Sequence, residues 1–144
     1  MATVRDILGK KGSDVITVAP GETVVRAAEL MNDRGIGGLV VTERGRPTGI
    51  FTERDILRRV VAQRRDPAST HVAEVMTAPV IACAPDTSIE ECAAMMTAKR
   101  IRHLPVVEGQ RLAGVITIGD VLALQVREQQ ATIEYMHHFM FDLR

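Results

Sequence analysis

Sliding the 144-residue chain along itself by 65 positions lays residues 15–57 on residues 80–122 without a gap, and fifteen of those 43 positions are identical. The identities include Pro20 with Pro85, Ala28 with Ala93, Met31 with Met96, Ile36 with Ile101 and Leu39 with Leu104. They continue through Gly49 with Gly114, Thr52 with Thr117 and Asp55 with Asp120. A fainter echo pairs residues 4–8 with 72–76, three positions out of phase. A fixed internal period constrains the fold more than any local signal, because the chain must then be one supersecondary unit built twice.

Each copy reads β-α-β-β-α, an α/β (α+β) pattern. A short β run (15–18; 80–83) leads through a proline turn into a helix. Its apolar positions, 24, 27, 28, 31 and 89, 92, 93, 96, follow the i, i+3, i+4, i+7 stripe. Ser88 with Glu91 spells a capping box at the second copy's helix. Two β runs follow in each copy, 39–42 with 48–52 and 104–107 with 113–117, with Gly45 and Gly109 in the turns between them. A last helix runs from Asp55 to about residue 63 in the first copy and from Asp120 onward in the second. The expected organisation is a first repeat at 1–64, a linker at 65–71, a second repeat at 72–124 and a helical tail at 125–144. With aromatics at only 3%, the core must come from Val, Ile, Leu, Ala and Met. A unit of ~60 residues hides only about 60% of its unfolded surface and is marginal alone. Two such units are therefore expected to pack face to face about a pseudo-twofold axis, leaving two related crevices of the kind that hold small ligands.

The chemistry concentrates where a strand meets a helix, in Gly49-Ile-Phe-Thr-Glu-Arg-Asp55 and Gly114-Val-Ile-Thr-Ile-Gly-Asp120. Two accounts fit. In the first, each Thr is simply an N-cap and each Asp sits favourably at the positive end of the helix dipole, the cap contributing ~1 kcal/mol. In the second, the unpaired N–H groups and the Thr hydroxyl meet a phosphate. The Asp, which would repel phosphate, then accepts bonds from a ribose diol, as acids do in dinucleotide folds. A ribonucleotide offers both groups.

These elements, each preceded by a segment like Ile101-Arg-His-Leu-Pro-Val-Val107, resemble the cystathionine-β-synthase (CBS) domain as a tandem pair, over roughly residues 1–124. The resemblance implies a stand-alone bacterial regulatory module, without enzymatic activity of its own. Such a module binds an adenosine ligand (AMP, ADP, ATP, NAD(H) or S-adenosylmethionine), works as a homodimer and signals to a protein effector. It also implies two sites. In one, Thr117 meets phosphate, Asp120 the ribose hydroxyls, Arg102 and His103 donate to phosphate, and Ile16, Ile36, Gly37 and Val115 line the adenine slot. The other uses Thr52, Arg54 and Asp55 between Ile50, Ile81 and Ile101. Because Arg102 and His103 stand where the first copy has Gly37 and Gly38, the Thr117/Asp120 site is expected to hold a multiply charged phosphate more tightly. Val40 replaces the proline of the Leu-Pro-Val-Val pattern in the first copy.

Other classes fare worse. Eighteen basic and eighteen acidic residues cancel, so no overall field favours nucleic acid. No apolar run reaches the ~18 residues of a membrane helix, and residues 1–9 lack a signal-peptide core, which makes the cytoplasm the expected compartment. Cys83 and Cys92 make no CxxC and read as small buried hydrophobes. His71, His103, His137 and His138 have no i, i+4 spacing, so no metal is expected. Asp55 and Asp120, one per crevice, are not placed to share a substrate bond, which argues against catalysis. A dimeric scaffold with no required ligand remains the competing class. In the tail, Ile133, Met136, Met140 and Leu143 recur at helical spacing beside Tyr135, Phe139 and Phe141. That stripe either packs on its own domain or meets a partner.

Overall fold

The computed structural model describes residues 1–12 and 14–141. Its elements run α1 (Val4–Lys11), β1 (Thr17–Val18), α2 (Val24–Arg34), β2 (Gly38–Glu43), β3 (Arg46–Thr52) and α3 (Glu53–Asp55), which continues as a π-helical segment over Ile56–Val61. After the linker come α4 (Val72–Val75), α5 (Ile89–Lys99), β4 (His103–Glu108), β5 (Arg111–Thr117) and α6 (Ile118–Phe141). The duplication is visible bond by bond. Both hairpins are antiparallel and both shift register at equivalent places, between Val41 and Thr42 and between Val106 and Val107. Their two-residue turns differ. Arg44 and Gly45 both take positive φ, as a type I′ turn requires, whereas of Gly109 and Gln110 only the glycine does.

The second copy's first β run is less than a strand. β1 pairs in parallel with β2, but residues 80–83 contribute only the bridge of Cys83 to Val106. Among the described residues Ser88 makes its half of the expected capping box, accepting from the Glu91 N–H at 3.1 Å. The helix expected to begin at Asp120 starts two residues earlier, and it passes residue 124 without a break.

Two cores form, and they exchange helices. Val72 and Val75 of α4 pack with Val24, Met31, Leu39, Phe51 and Val60 of the first repeat. Val4 and Ile7 of α1 pack with Ile89, Met96, Leu104, Ile116 and Val121 of the second. Backbone bonds fix the exchange: the Val4 N–H donates to Thr87 O at 3.0 Å, and the Val72 N–H donates to Glu22 O at 2.8 Å. The faint echo of 4–8 in 72–76 is thus a structural equivalence, each short helix completing the other repeat's core. The expected boundaries at 64 and 72 describe the chain's order, while the packing crosses them. No described helix is long and apolar enough to cross a membrane.

Candidate functional site

The strand-to-helix corners are built alike. The Thr52 N–H donates to Asp55 Oδ2 at 3.0 Å, and the Thr117 N–H donates to Asp120 Oδ2 at 2.8 Å. In return the Asp55 and Asp120 N–H groups donate to the two threonine hydroxyls, at 3.4 and 3.2 Å. These are capping boxes. The acid-to-N-cap bond recurs at Thr3–Asp6 (2.8 Å) and His71–Glu74 (2.7 Å), neither of which lines a crevice. The bland account of the Thr-x-x-Asp motif is therefore correct as far as it goes. Among the described residues, what sets two of these four boxes apart is open space beside them.

Beside Thr52 lies a cavity of about 430 Å³, lined by Ile50, Thr52, Arg54, Asp55, Ile81 and Ile101, the whole set expected there. Beside Thr117 lies one of about 380 Å³, lined by Ile16, Ile36, Gly37, His103, Val115 and Thr117. Two expected members of the second set fall elsewhere. Arg102 lines the first cavity, and Asp120 lines neither, its Oδ2 held at 2.7 Å by the ammonium of Lys11, which does line the second. Lys11 lies outside the duplicated segment, and no spacing rule pointed to it. Helix exchange carries it across to this corner.

The charges are divided unevenly. Arg54, Arg58, Arg59, Lys99, Arg100 and Arg102 all line the first cavity, against Glu53 and Asp55. Lys11, His103 and Asp14 are the titratable residues of the second. This distribution runs against the expectation that Thr117/Asp120 would be the better polyphosphate site. That expectation set Arg102 beside Thr117, whereas Arg102, just before β4, lines the first cavity and His103 lines both. Arg100 adds a local oddity. It takes φ 54° at the helix C-cap, where the first copy has Gly35 at φ 63°. A left-handed non-glycine residue costs roughly 1–2 kcal/mol, and here it falls at a residue that lines the first cavity.

Asp55 is 5% exposed and well occupied: besides Thr52, Thr77 Oγ1 donates to its Oδ1 at 3.0 Å and Arg59 Nε stands 3.6 Å away. Asp120 is the more open acid. Burial works to raise its carboxyl, but the bonds from Lys11 and from the Thr117 N–H overcome that and hold it below the usual range. His103 lines both cavities, and a Cβ on Gly38 would stand 3.2 Å from its ring, so the glycine of one copy makes room for the histidine of the other. Burial holds this imidazole below its ordinary value. Lys11 and Arg102 push the same way, against Glu53 and Asp120. Among the described residues no group of three His, Cys, Asp or Glu side chains converges as a metal site.

The CBS-domain family model matches residues 3–62 and 72–127, well over half of the chain. The chain belongs to the CBS-domain family. It is 43% identical to a putative signal-transduction protein with CBS domains from Burkholderia ambifaria, with a TM-score of 0.85 over 89% of this chain and 96% of that one. The CBS domain pair of protein MJ0100, solved with 5′-methylthioadenosine and S-adenosyl-L-methionine, is 27% identical, with a TM-score of 0.79 over 89% of this chain and 98% of that one. Hypoxic Response Protein I, solved with two coordinated zinc ions, is 30% identical, with a TM-score of 0.74 over 85% of this chain and 98% of that one. The chain spans less than half the length of the curated relatives it matches, 40% in the case of the CBS domain-containing protein YhcV of Bacillus subtilis.

Proposed function

We propose that this CBS pair is a regulatory module that binds adenosine-containing ligands in its two crevices, working by occupancy rather than turnover. The first crevice takes the ligand with the longer phosphate chain. The observation that carries this reading is that six cationic residues are among those lining a cavity of about 430 Å³, whose lining also includes the threonine-capped start of α3. Such a cavity matches a nucleotide in size, and its arginines suit phosphate oxygens in a bidentate manner. The adenosine ligands held by the MJ0100 pair support the same class. The second crevice, with Lys11 spent on Asp120, suits an adenosine ligand of little net negative charge. The bound module acts as a homodimer and passes occupancy to a protein effector by shifting between conformations that differ in ligand affinity.

One observation favours the scaffold alternative: Asp55 already spends its oxygens on its own chain, so a ribose diol must displace the Thr77 hydroxyl to reach it. Thermal shift with AMP, ATP, NADH and S-adenosylmethionine separates the two readings. A ligand at 100-fold its Kd adds ~2.7 kcal/mol, a rise of roughly 5–10 °C for a domain of this size. Flat melting curves across the panel refute the sensor reading and leave the scaffold. Arg102→Ala is expected to weaken ATP at least tenfold and methylthioadenosine hardly at all. Equal losses would refute the assignment of phosphate to the first crevice.

A further inference from the structure

Helix α6 is 24 residues long, about 36 Å at 1.5 Å per residue, and only its first turns touch the body. From Val126 to Met140 every residue is exposed, so the stripe noted in the sequence does not pack on its own repeat. Leu143 lies outside the described residues. The apolar positions are not scattered round the helix. Leu122, Val126, Ile133, Met136 and Met140, all 53–65% exposed, follow one another with Gln129 at intervals of four, three, four, three and four. That is a 3.5-residue period, which drifts about 20° per heptad on a straight helix and is satisfied by supercoiling against another helix of the same pattern. A flat protein surface or a membrane has no use for it. The exposed helix also has only Arg127 against Glu128 and Glu134, which is the wrong balance for anionic lipid.

We infer that the α6 helices of two copies of this chain pair in parallel and in register as a short coiled coil, with Gln129 facing Gln129 across the twofold axis. Three features select a second copy. The residues flanking the seam, Ala123, Gln130 and His137 on one side and Gln125, Thr132 and Phe139 on the other, include no Asp, Glu, Lys or Arg. Identical helices thus meet without like-charge repulsion, and no charge code selects a different partner. A glutamine amide is donor and acceptor at once, so it satisfies itself across a twofold axis, and a single polar seam position is the usual device for fixing register. The area suffices: at about 100 Å² per half-exposed side chain, the seam with Phe139 hides roughly 600 Å² per copy, close to the ~800 Å² of a standard interface. The stacked rings of Tyr135 and Phe139, 6.5 Å between centroids, stiffen its edge. This pairing does not depend on any ligand.

The test uses the full chain. Gln129→Cys is expected to oxidise to a covalent dimer on a non-reducing gel, while Glu128→Cys, one position round the helix, stays monomeric. Equal cross-linking of the two, or none by either, overturns the proposal. Light scattering should place the wild type at twice the 15.8 kDa chain mass. The double variant Ile133→Lys/Met136→Lys is expected to self-associate at least about 100-fold more weakly, having lost two large buried side chains per copy. Because both positions are exposed, the body should fold as before. If the double variant keeps the wild-type dimer, the coiled coil is refuted while a homodimer survives. A monomeric wild type removes both.

Discussion

Gly49 and Gly114 are equivalent by duplication, yet an added methyl meets different neighbours at each. A Cβ on Gly114 would lie 2.7 Å from Leu8 Cδ2, the far end of a flexible side chain on exchanged helix α1. A Cβ on Gly49 would lie 2.7 Å from Met76 Sδ and 2.9 Å from the backbone oxygen of Thr77. That oxygen cannot retreat freely, since the Ile50 N–H donates to it at 3.0 Å and the Thr77 N–H donates back to Ile50 O at 2.8 Å. Gly→Ala in a strand gains about 0.5–1 kcal/mol by restricting the unfolded chain. At position 114 a turned Leu8 side chain roughly cancels that gain. At position 49 overpacking costs about 1–3 kcal/mol, with a further ~1 kcal/mol where the bridge hydrogen bond breaks. Gly49→Ala should therefore destabilise by about 1–3 kcal/mol in urea titration, and Gly114→Ala by less than ~1 kcal/mol. A Gly114→Ala loss equal to or larger than that of Gly49→Ala would refute the packing assigned to the exchanged segments. The same displacement moves Thr77, whose hydroxyl holds Asp55, so Gly49→Ala should also weaken ligand binding in the first crevice.

Arg100→Gly relieves the left-handed strain at the α5 C-cap and should add about 0.5–1 kcal/mol of stability while weakening ATP, a stability gain against function readable by paired melting and calorimetry. Cys83, pushed up to about 12 by burial with the neighbouring Cys92 adding to it, should resist iodoacetamide at pH 8 until denaturant is added; rapid labelling of the native chain would contradict its placement in the core. Asp120 is held below its ordinary 3.8 in the folded state, so it contributes stability above that pH and loses it as the pH falls from 3.8 through the folded value. Lys11→Met should therefore be less stable than wild type at pH 7, with the gap closing as the pH falls below 3.8; a gap that does not narrow there would rule out the ion pair as its source. His103, held below 6.5, should make folding less favourable as the pH drops beneath that value, and His103→Gln should flatten that part of the profile.

What the sequence disclosed and what it hid follow from the range of the forces involved. Helix stripes, strand pairs, turn glycines and caps are local, and duplication doubled each signal, so the hairpins and the Thr52 and Thr117 corners could be located from spacing alone. Helix exchange could not be. Residues 4–8 and 72–76 show the same apolar pattern whichever core they enter, and only the backbone bonds of Val4 and Val72 decide. The misplacement of Arg102 has a related cause. Repeat alignment compares a residue with its counterpart in the other copy, but a crevice between copies is lined from both. Arg102 lines only the Thr52 crevice, while the adjacent His103 lines both. It follows that charge in such a pair should be assigned by cavity rather than by copy. The Lys11–Asp120 pair makes the same point, since a cation outside the gaplessly aligned segment 15–57 holds the acid of the other repeat. Differences between the crevices therefore arise at positions that conserve the repeat's fold, and a duplicated fold can acquire two unlike sites without either copy losing its cap, its hairpin or its core.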